Sequence, residues 1–130
     1  MREFQEFFGK LYFSESVLGR GRIEDGELII PISGLFVLSG HPLQDEGNGP
    51  YTGELVFVGV LDSRKTVKEY IGDSRKPEGF KAPREVIDDI PVSHHLSPTQ
   101  QYGFEGYQEE PSAWVDNWLI QARLFKFRIL

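Results

Sequence analysis

Apolar residues occur in short runs, and residues typical of turns separate one run from the next. Fourteen glycines and eight prolines are spread over the 130 residues, and the longest stretch without either one follows Pro111. Proline lacks a backbone donor and clashes inside a helix, so long helices are disfavoured over most of the chain. Short apolar runs rich in aromatic and β-branched residues are typical of strands. The pattern therefore predicts a sheet-rich fold.

Four regions have the pattern of strands. The first spans residues 10–18, and the second consists of two short apolar runs on either side of Ser33-Gly34. The other two, 54–61 and 66–71, are predicted to form a hairpin that turns at Asp62 and Ser63. The first hairpin arm is apolar on both parities, which predicts a central strand with both faces covered. The second arm alternates, so one of its faces is expected to meet water.

The C-terminal stretch fits two interpretations. Residues 125–129 alternate between apolar and basic side chains, and Trp118, Ile120, Ala122 and Leu124 share one parity. A bulge after Leu124 would join the two halves into one strand. The same residues also provide an apolar helix face. We favour strand, because β-branched and aromatic residues dominate the end of the run.

Together these elements predict a mainly β protein, an antiparallel sandwich or half-open barrel of about six to eight strands. Residues 40–53 and 73–83 are predicted to be loops. One or two short helical turns are expected near residues 83–89, where Pro83 suits a first helical position. The alternative is an α+β fold with a C-terminal helix. The length suits one domain, so residues 1–130 are expected to form a single domain.

Composition excludes several classes of protein. The chain is 39% hydrophobic and 26% charged, as in ordinary globular proteins. The absence of cysteine excludes disulfides, cysteine nucleophiles and thiolate metal sites. No apolar run approaches the roughly 20 residues that span a bilayer. Two acids among the first eight residues do not suit a secretory signal, so we expect a cytoplasmic protein that does not bind membranes.

Charge is distributed unevenly along the chain. The formal net charge is −6, so nucleic acid is not an expected partner. Residues 85–122 contain seven acids and neither lysine nor arginine, whereas the rest of the chain holds 14 basic and 13 acidic residues. About one third of the sequence therefore carries the whole excess of negative charge.

The same acidic stretch is rich in large aromatic residues. It contains Tyr102, Phe104, Tyr107, Trp114 and Trp118. Tryptophan and tyrosine are over-represented among the residues that dominate protein–protein binding energy. Acidic residues around such anchors would suit a basic partner, because complementary charge adds association rate and selectivity. The competing interpretation is that the rings belong to the core, above all Tyr102, Phe104 and Trp118.

Residues for catalysis or metal binding are not evident. His94 and His95 are adjacent, and adjacent side chains on an extended segment point to opposite sides, which does not suit one metal ion. No order of serine, histidine and acid suggests a triad. Acids are abundant, but no spacing defines a carboxylate pair for glycoside hydrolysis. We therefore predict no catalytic residue, no metal and no cofactor.

The sequence favours a small non-enzymatic protein that binds a basic protein partner. One concrete form is an immunity-type protein that neutralises a nuclease-like toxin, whose substrate cleft is basic. The alternative is a small β-barrel enzyme or ligand-binding protein that uses carboxylates or His94 and His95 in an aromatic-lined pocket. A homodimer is a third option. The predicted partner-binding residues are Asp88, Asp89, Glu105, Tyr107, Glu109, Glu110, Trp114 and Asp116.

Overall fold

Almost all regular structure belongs to one mixed β-sheet that does not close into a barrel. The computed structural model describes residues 2–69, 84–87, 99–109 and 112–129. Within them, eleven strands follow the order β1-β11-β6-β5-β3-β9-β10-β7-β8, and β2 and β4 also pair with β5. The strands are β1 (Arg2–Gln5), β2 (Leu11–Tyr12), β3 (Val17–Leu18), β4 (Arg22–Glu24), β5 (Glu27–Val37), β6 (Tyr51–Val58), β7 (Asp62–Glu69), β8 (Arg84–Ile87), β9 (Gln100–Gln108), β10 (Ala113–Ala122) and β11 (Leu124–Ile129).

This architecture confirms the predicted mainly β class, and its half-open form matches the predicted barrel variant. The strand count is higher than expected because the region predicted as one strand over 10–18 is broken into short pieces. Together with β4, these pieces pair in turn along one edge of β5. The C-terminal stretch is extended rather than helical.

A tight turn at Asp25-Gly26 joins β4 to β5. Both residues have positive φ, 52° and 77°, as a two-residue turn of this kind requires. Asp-Gly is the preferred sequence there, since glycine adopts positive φ without steric cost. Further along, β5 runs through the predicted break at Ser33-Gly34, where its register against β6 shifts. The two apolar runs on either side of that break are therefore one long strand.

The central position of β6 is confirmed, but the predicted hairpin with β7 is wrong. Leu55, Val56 and Phe57 on β6 are completely buried, and β6 pairs with β5 on one edge and β11 on the other. Both edges of β6 are thus occupied. After Gly59, with φ 67°, the chain leaves this part of the sheet, and β7 pairs with β10 and β8 instead.

The C-terminal run forms two strands with different neighbours rather than one bulged strand. β10 pairs with β9 and β7, whereas β11 pairs with β6 and β1. The chain changes partners at Arg123, whose backbone N–H donates to Val58 O at 2.9 Å. A bulge does occur, but it lies between Asp116 and Leu119 in β10.

The expected helix near residues 83–89 is wrong for the part that the structure describes. Residues 84–87 form β8, which pairs with β7 at the end of the sheet. The described helices are two short 3-10 helices, Phe8–Lys10 and Pro42–Glu46, and the second interrupts a predicted loop. None of the described helices has the length and apolarity that a membrane crossing requires. The predicted loop at 73–83 lies outside the described residues.

Aromatic rings on β6, β9, β10 and β11 fill much of the core. Phe57 has ring centroids of Tyr102, Phe104 and Phe125 within 6.0 Å, and Phe104 stacks on Trp118 at 5.2 Å. Aromatic pairs at such distances contribute beyond simple burial. Three of the five aromatic residues in the acidic stretch, Tyr102, Phe104 and Trp118, therefore belong to the core.

The N-terminal segment delivers another ring to this cluster through a strained turn. Glu6 and Phe7 both have positive φ, 68° and 62°, which side chains other than glycine rarely adopt. The turn brings Phe8 to within 5.3 Å of the Phe13, Tyr102 and Phe125 ring centroids. Ring packing of this kind offsets the cost of the two unfavourable conformations.

Truncation of Phe57 tests this account of the core. We expect Phe57→Ala to lower the free energy of unfolding by about 3–5 kcal/mol, because a fully buried ring is lost and a cavity remains. Tyr12→Ala is the control, since Tyr12 is 42% exposed, and it should cost less than about 1 kcal/mol. Chemical denaturation measures both. A cost below about 1 kcal/mol for Phe57→Ala would mean that β6 is not central.

Candidate functional site

Two aromatic residues lie side by side on the outer face of β9 and β10. Tyr107 and Trp114 are direct cross-strand partners. Their sequence neighbours Gly106, Ala113 and Val115 are buried, so strand alternation directs both rings outward. Tyr107 is 39% exposed and Trp114 is partly buried. Opposed side chains on an antiparallel pair are close enough to form one continuous apolar surface.

Hydrogen bonds hold the Tyr107 side of this surface in position. The Tyr107 hydroxyl and the Ser112 hydroxyl are 2.6 Å apart. The Tyr107 backbone N–H donates to Ser16 O at 3.0 Å, and the Ser14 hydroxyl donates to the Glu105 carboxylate at 3.0 Å. The ring and the carboxylate therefore lose little further conformational freedom if a partner covers them.

A bulge groups polar residues beside the aromatic pair. Gly106 pairs with Val115 and Phe104 pairs with Trp118, so Glu105 alone lies opposite Asp116 and Asn117. Asn117 has φ 47°, a left-handed conformation that asparagine tolerates better than most residues. Two residues facing one is the definition of a bulge, and bulges re-aim side chains at functional positions. Glu105 and Asp116 are both partly exposed here.

Basic residues on β7 border this surface on the side of Trp114. Lys68 is the cross-strand partner of Trp114, and Arg64 is the partner of Leu119. Arg64 forms ion pairs with Asp62 at 2.8 Å and with Glu85 at 3.8 Å. The stretch that lacks basic residues in the sequence is therefore not free of them in space. The carboxylates of Glu105 on β9 and Asp116 on β10 lie together at the bulge, and Glu109 follows the end of β9.

The structure brings together about half of the predicted partner-binding residues. Glu105, Tyr107, Trp114 and Asp116 share the outer face of β9 and β10, and we call these four residues the β9–β10 patch. Glu109 is exposed just past the end of β9 and lines a groove instead. Asp88, Asp89 and Glu110 lie outside the described residues.

The groove that Glu109 lines has a volume of about 1050 Å³ and was not predicted. Residues 17–23 and the neighbouring part of β5 form one wall, and β7 and β8 contribute to the other. Its charged lining residues among those described are Arg20, Arg22, Lys65, Arg84 and Glu109. Four of these described residues are cations and one is an anion, whereas acids are in excess in the sequence as a whole. The sequence signal that could have pointed to this groove is the closely spaced pair of arginines in Gly19-Arg20-Gly21-Arg22.

Several groove cations have partners within the protein. Arg22 pairs with Glu54 at 2.6 Å and with Glu24 at 3.0 Å, and Arg84 pairs with Glu69 at 2.6 Å. The Lys65 ammonium lies 3.9 Å from the centroid of the Trp118 ring, a cation–π distance.

Glu54 is the most buried member of these ion pairs. Burial alone would raise the pKa of its carboxyl, but the hydrogen bonds and charges of Arg22 and Arg128 outweigh burial and hold the pKa below its ordinary value. Glu54 thereby links Arg22 on β4, in one wall of the groove, to Arg128 on β11. These ion pairs hold the wall in position. Arg20, which belongs to the same wall, is exposed at the rim.

The histidine that the structure describes is buried and has a structural role. His41 is 4% exposed, and its Nδ1 accepts a hydrogen bond from the Leu43 backbone N–H at 3.0 Å at the start of the Pro42–Glu46 helix. Its Nε2 is buried without a hydrogen-bond partner, and the Phe4 and Phe7 rings lie 5.4 and 5.7 Å away. His94 and His95 lie outside the described residues. No group of three or more possible metal ligands occurs in the part of the chain that the structure describes.

Comparison of the chain with protein-family models, with curated proteins and with solved structures finds no significant match.

Burial of His41 predicts a specific dependence of stability on pH. Burial lowers the pKa of His41 below its ordinary value of 6.5, so the unfolded chain takes up a proton below pH 6.5 that the folded chain does not. The free energy of unfolding should therefore fall as the pH falls below 6.5, by at most about 1.4 kcal/mol per pH unit. Chemical denaturation between pH 7.5 and 5 measures the slope.

His41→Asn is the matched variant, because asparagine keeps a helix-capping acceptor and does not titrate. Its free energy of unfolding should change less with pH over the same range. The buried Glu54 does not interfere: its lowered pKa makes its contribution disappear only below its ordinary pKa of 4.5. Equal slopes for wild type and His41→Asn would contradict the burial of a neutral imidazole.

Proposed function

We propose that the protein is a non-enzymatic binding protein that recognises a basic protein partner through the β9–β10 patch. The observation that carries this proposal is the cross-strand pair of Tyr107 and Trp114 on the outer face, beside the carboxylates of Glu105 and Asp116. An immunity-type protein that acts in the cytoplasm and blocks the basic cleft of a nuclease-like toxin is the concrete form we favour.

The aromatic pair suits the centre of an interface. Tyrosine and tryptophan dominate binding energy when a partner removes water from around them. Because Tyr107 is fixed by Ser112 and by the Ser16 carbonyl, its ring is preorganised, and less side-chain entropy is lost on association. The pair therefore provides affinity without a conformational change in the sheet.

The charges around the pair support a basic partner with a defined orientation. Glu105 and Asp116 place negative charge beside the pair, and the net charge of −6 attracts a basic protein from a distance. Lys68 sits at the opposite border of the patch. A partner with its basic groups over β9 and neutral or acidic groups over β7 fits this arrangement, since like charges across an interface are costly.

The placement of the acids separates this proposal from the alternative of an enzyme or ligand-binding barrel. That alternative needs carboxylates or histidines that converge in an aromatic-lined pocket. Glu105 and Asp116 lie on an outer sheet face, and His41 is enclosed by Phe4 and Phe7. The groove carries mainly cations. These positions favour a binding role for the acids.

Selective loss of a captured partner tests the proposal. Immobilised wild-type protein should retain a basic protein from a lysate of the source cells, and Tyr107→Ala should retain about tenfold less of it. Tyr12→Ala is the matched control, because Tyr12 is 42% exposed against 39% for Tyr107 but lies elsewhere on the sheet. Equal retention by both variants, or capture of a second copy of the chain alone, would contradict the proposal.

Association kinetics with the captured partner test the role of charge. We expect Glu105→Lys to slow association about tenfold at low salt and much less at physiological salt, because salt screens long-range steering. Asp45→Lys makes the same change of net charge on the exposed Pro42–Glu46 helix and should have a smaller effect. Identical association rates for wild type and Glu105→Lys at low salt would exclude steering by the patch.

A further inference from the structure

Two strands of the half-open sheet, β4 and β8, border the groove. Among the residues that the structure describes, β4 pairs only with β5 and β8 pairs only with β7. Both line the groove, β4 through Arg22 and Ile23 and β8 through Arg84, Val86 and Ile87. An open strand edge presents backbone donors and acceptors that another strand can pair with.

The register of β4 shows which of its backbone groups are available. Glu24 and Glu27 flank a two-residue turn and so form a hydrogen-bonded pair, and the next pair, Ile23 with Leu28, is of the non-hydrogen-bonded type. The N–H and C=O of Ile23 therefore point away from β5. Because Ile23 lines the groove and is 45% exposed, these groups lie where an added strand would need them.

The charge of the groove defines what kind of strand fits. Arg20, Arg22, Lys65 and Arg84 outnumber Glu109 in its lining. Arg22 pairs with Glu54 and Glu24, and Arg84 pairs with Glu69, so the charges of these two guanidinium groups are compensated within the protein. Arg20 is exposed and forms no ion pair with another described residue. An occupant with carboxylates on alternate residues complements this rim.

The size of the groove and its floor favour a peptide over a small molecule. Its volume of about 1050 Å³ is at the upper limit for small-molecule pockets. The apolar lining residues Leu18, Leu28 and Trp118 are at most 2% exposed, whereas Ile23 on β4 and Ile87 on β8 are 45% and 66% exposed, so the apolar surface that a ligand could cover lies along the two strand edges. Affinity would therefore come from backbone pairing, charge and contact with these two edge residues, which is how a peptide binds by strand addition.

We infer that the groove binds an extended acidic segment of a partner protein, which pairs with the open edge of β4 while its carboxylates contact Arg20 and the neighbouring cations. This site is separate from the β9–β10 patch and takes a partner of opposite charge. Its test therefore does not depend on the function proposed above.

Binding of short synthetic peptides tests the inference. The probes are fluorescein-labelled peptides of about six residues, a typical strand length, in which threonine alternates with glutamate or with lysine. Fluorescence anisotropy at low salt should show the glutamate peptide binding at least about tenfold more tightly than the lysine peptide. A glutamate peptide that does not bind, or that binds no better than the lysine peptide, would overturn the inference.

Two pairs of variants separate the site from general charge effects. Arg20→Glu should weaken binding of the glutamate peptide about tenfold, whereas Arg123→Glu, an equal charge change between β10 and β11, should not. Ile23→Pro removes the outward N–H, and proline is tolerated at such edge positions, so this variant should fold but bind poorly. Ile23→Val keeps the donor and should bind normally.

Other outcomes would contradict strand addition. Equal losses for Arg20→Glu and Arg123→Glu would indicate attraction to the whole molecule. Normal binding by Ile23→Pro, with a far-UV circular dichroism spectrum like that of the wild type, would exclude pairing with β4. Tighter binding of a single-stranded oligonucleotide of matched charge than of the glutamate peptide would assign the groove to nucleic acid instead.

Discussion

Burial of alternate side chains on β9 and β10 is the constraint that determines the surface of this protein. Tyr102, Phe104 and Trp118 are at most 5% exposed, because Tyr102 and Phe104 pack against Phe57 on β6 and Trp118 stacks on Phe104. Successive residues of a strand point to opposite faces, and a slip of one residue would reverse them all. The core thereby fixes Tyr107, Trp114 and Glu105 on the outside.

The half-open sheet separates charge in a way that the net charge conceals. Glu105 and Asp116 lie beside the Tyr107 and Trp114 rings on the outer face of β9 and β10. Basic residues outnumber acidic ones in the described lining of the groove beside β4 and β8. The two regions meet near Glu109, which follows β9 and lines the groove. A chain with a net charge of −6 can thus present surfaces of both signs. This geometry therefore accommodates more than one interaction partner.

Local sequence patterns predicted a strand correctly where the burial of its side chains alone determines the pattern. The two-sided apolar run of β6 identified a central strand, and the alternation over 125–129 identified β11. Periodicity reports burial, however, and does not identify the neighbouring strand. The hairpin with β7 was therefore wrong, since the partners of β7 lie on β8 and β10. Arg84–Ile87 was mistaken for a helix start for a different reason: it follows a proline, which suits a first helical position.

The candidate sites were predictable to different degrees. The excess of acids and rings between residues 85 and 122 pointed to the β9–β10 patch, but only the register distinguishes Tyr107 and Trp114 from the buried rings. The presence of Lys68 beside Trp114 has no sequence signal, because the two residues lie on strands that are distant in the chain. The groove was missed because its cations come from three separate segments.

Thiol accessibility along β9 tests the constraint most directly, because the natural chain has no cysteine and an introduced thiol is unique. Single cysteines at Tyr102, Phe104, Glu105 and Tyr107 would be compared by their rates of labelling with a thiol reagent under native conditions. The account predicts fast labelling at 105 and 107, which face outward, and slow labelling at 102 and 104, which face the core. Uniform rates, or the opposite alternation, would show that the core does not hold this strand in the described register.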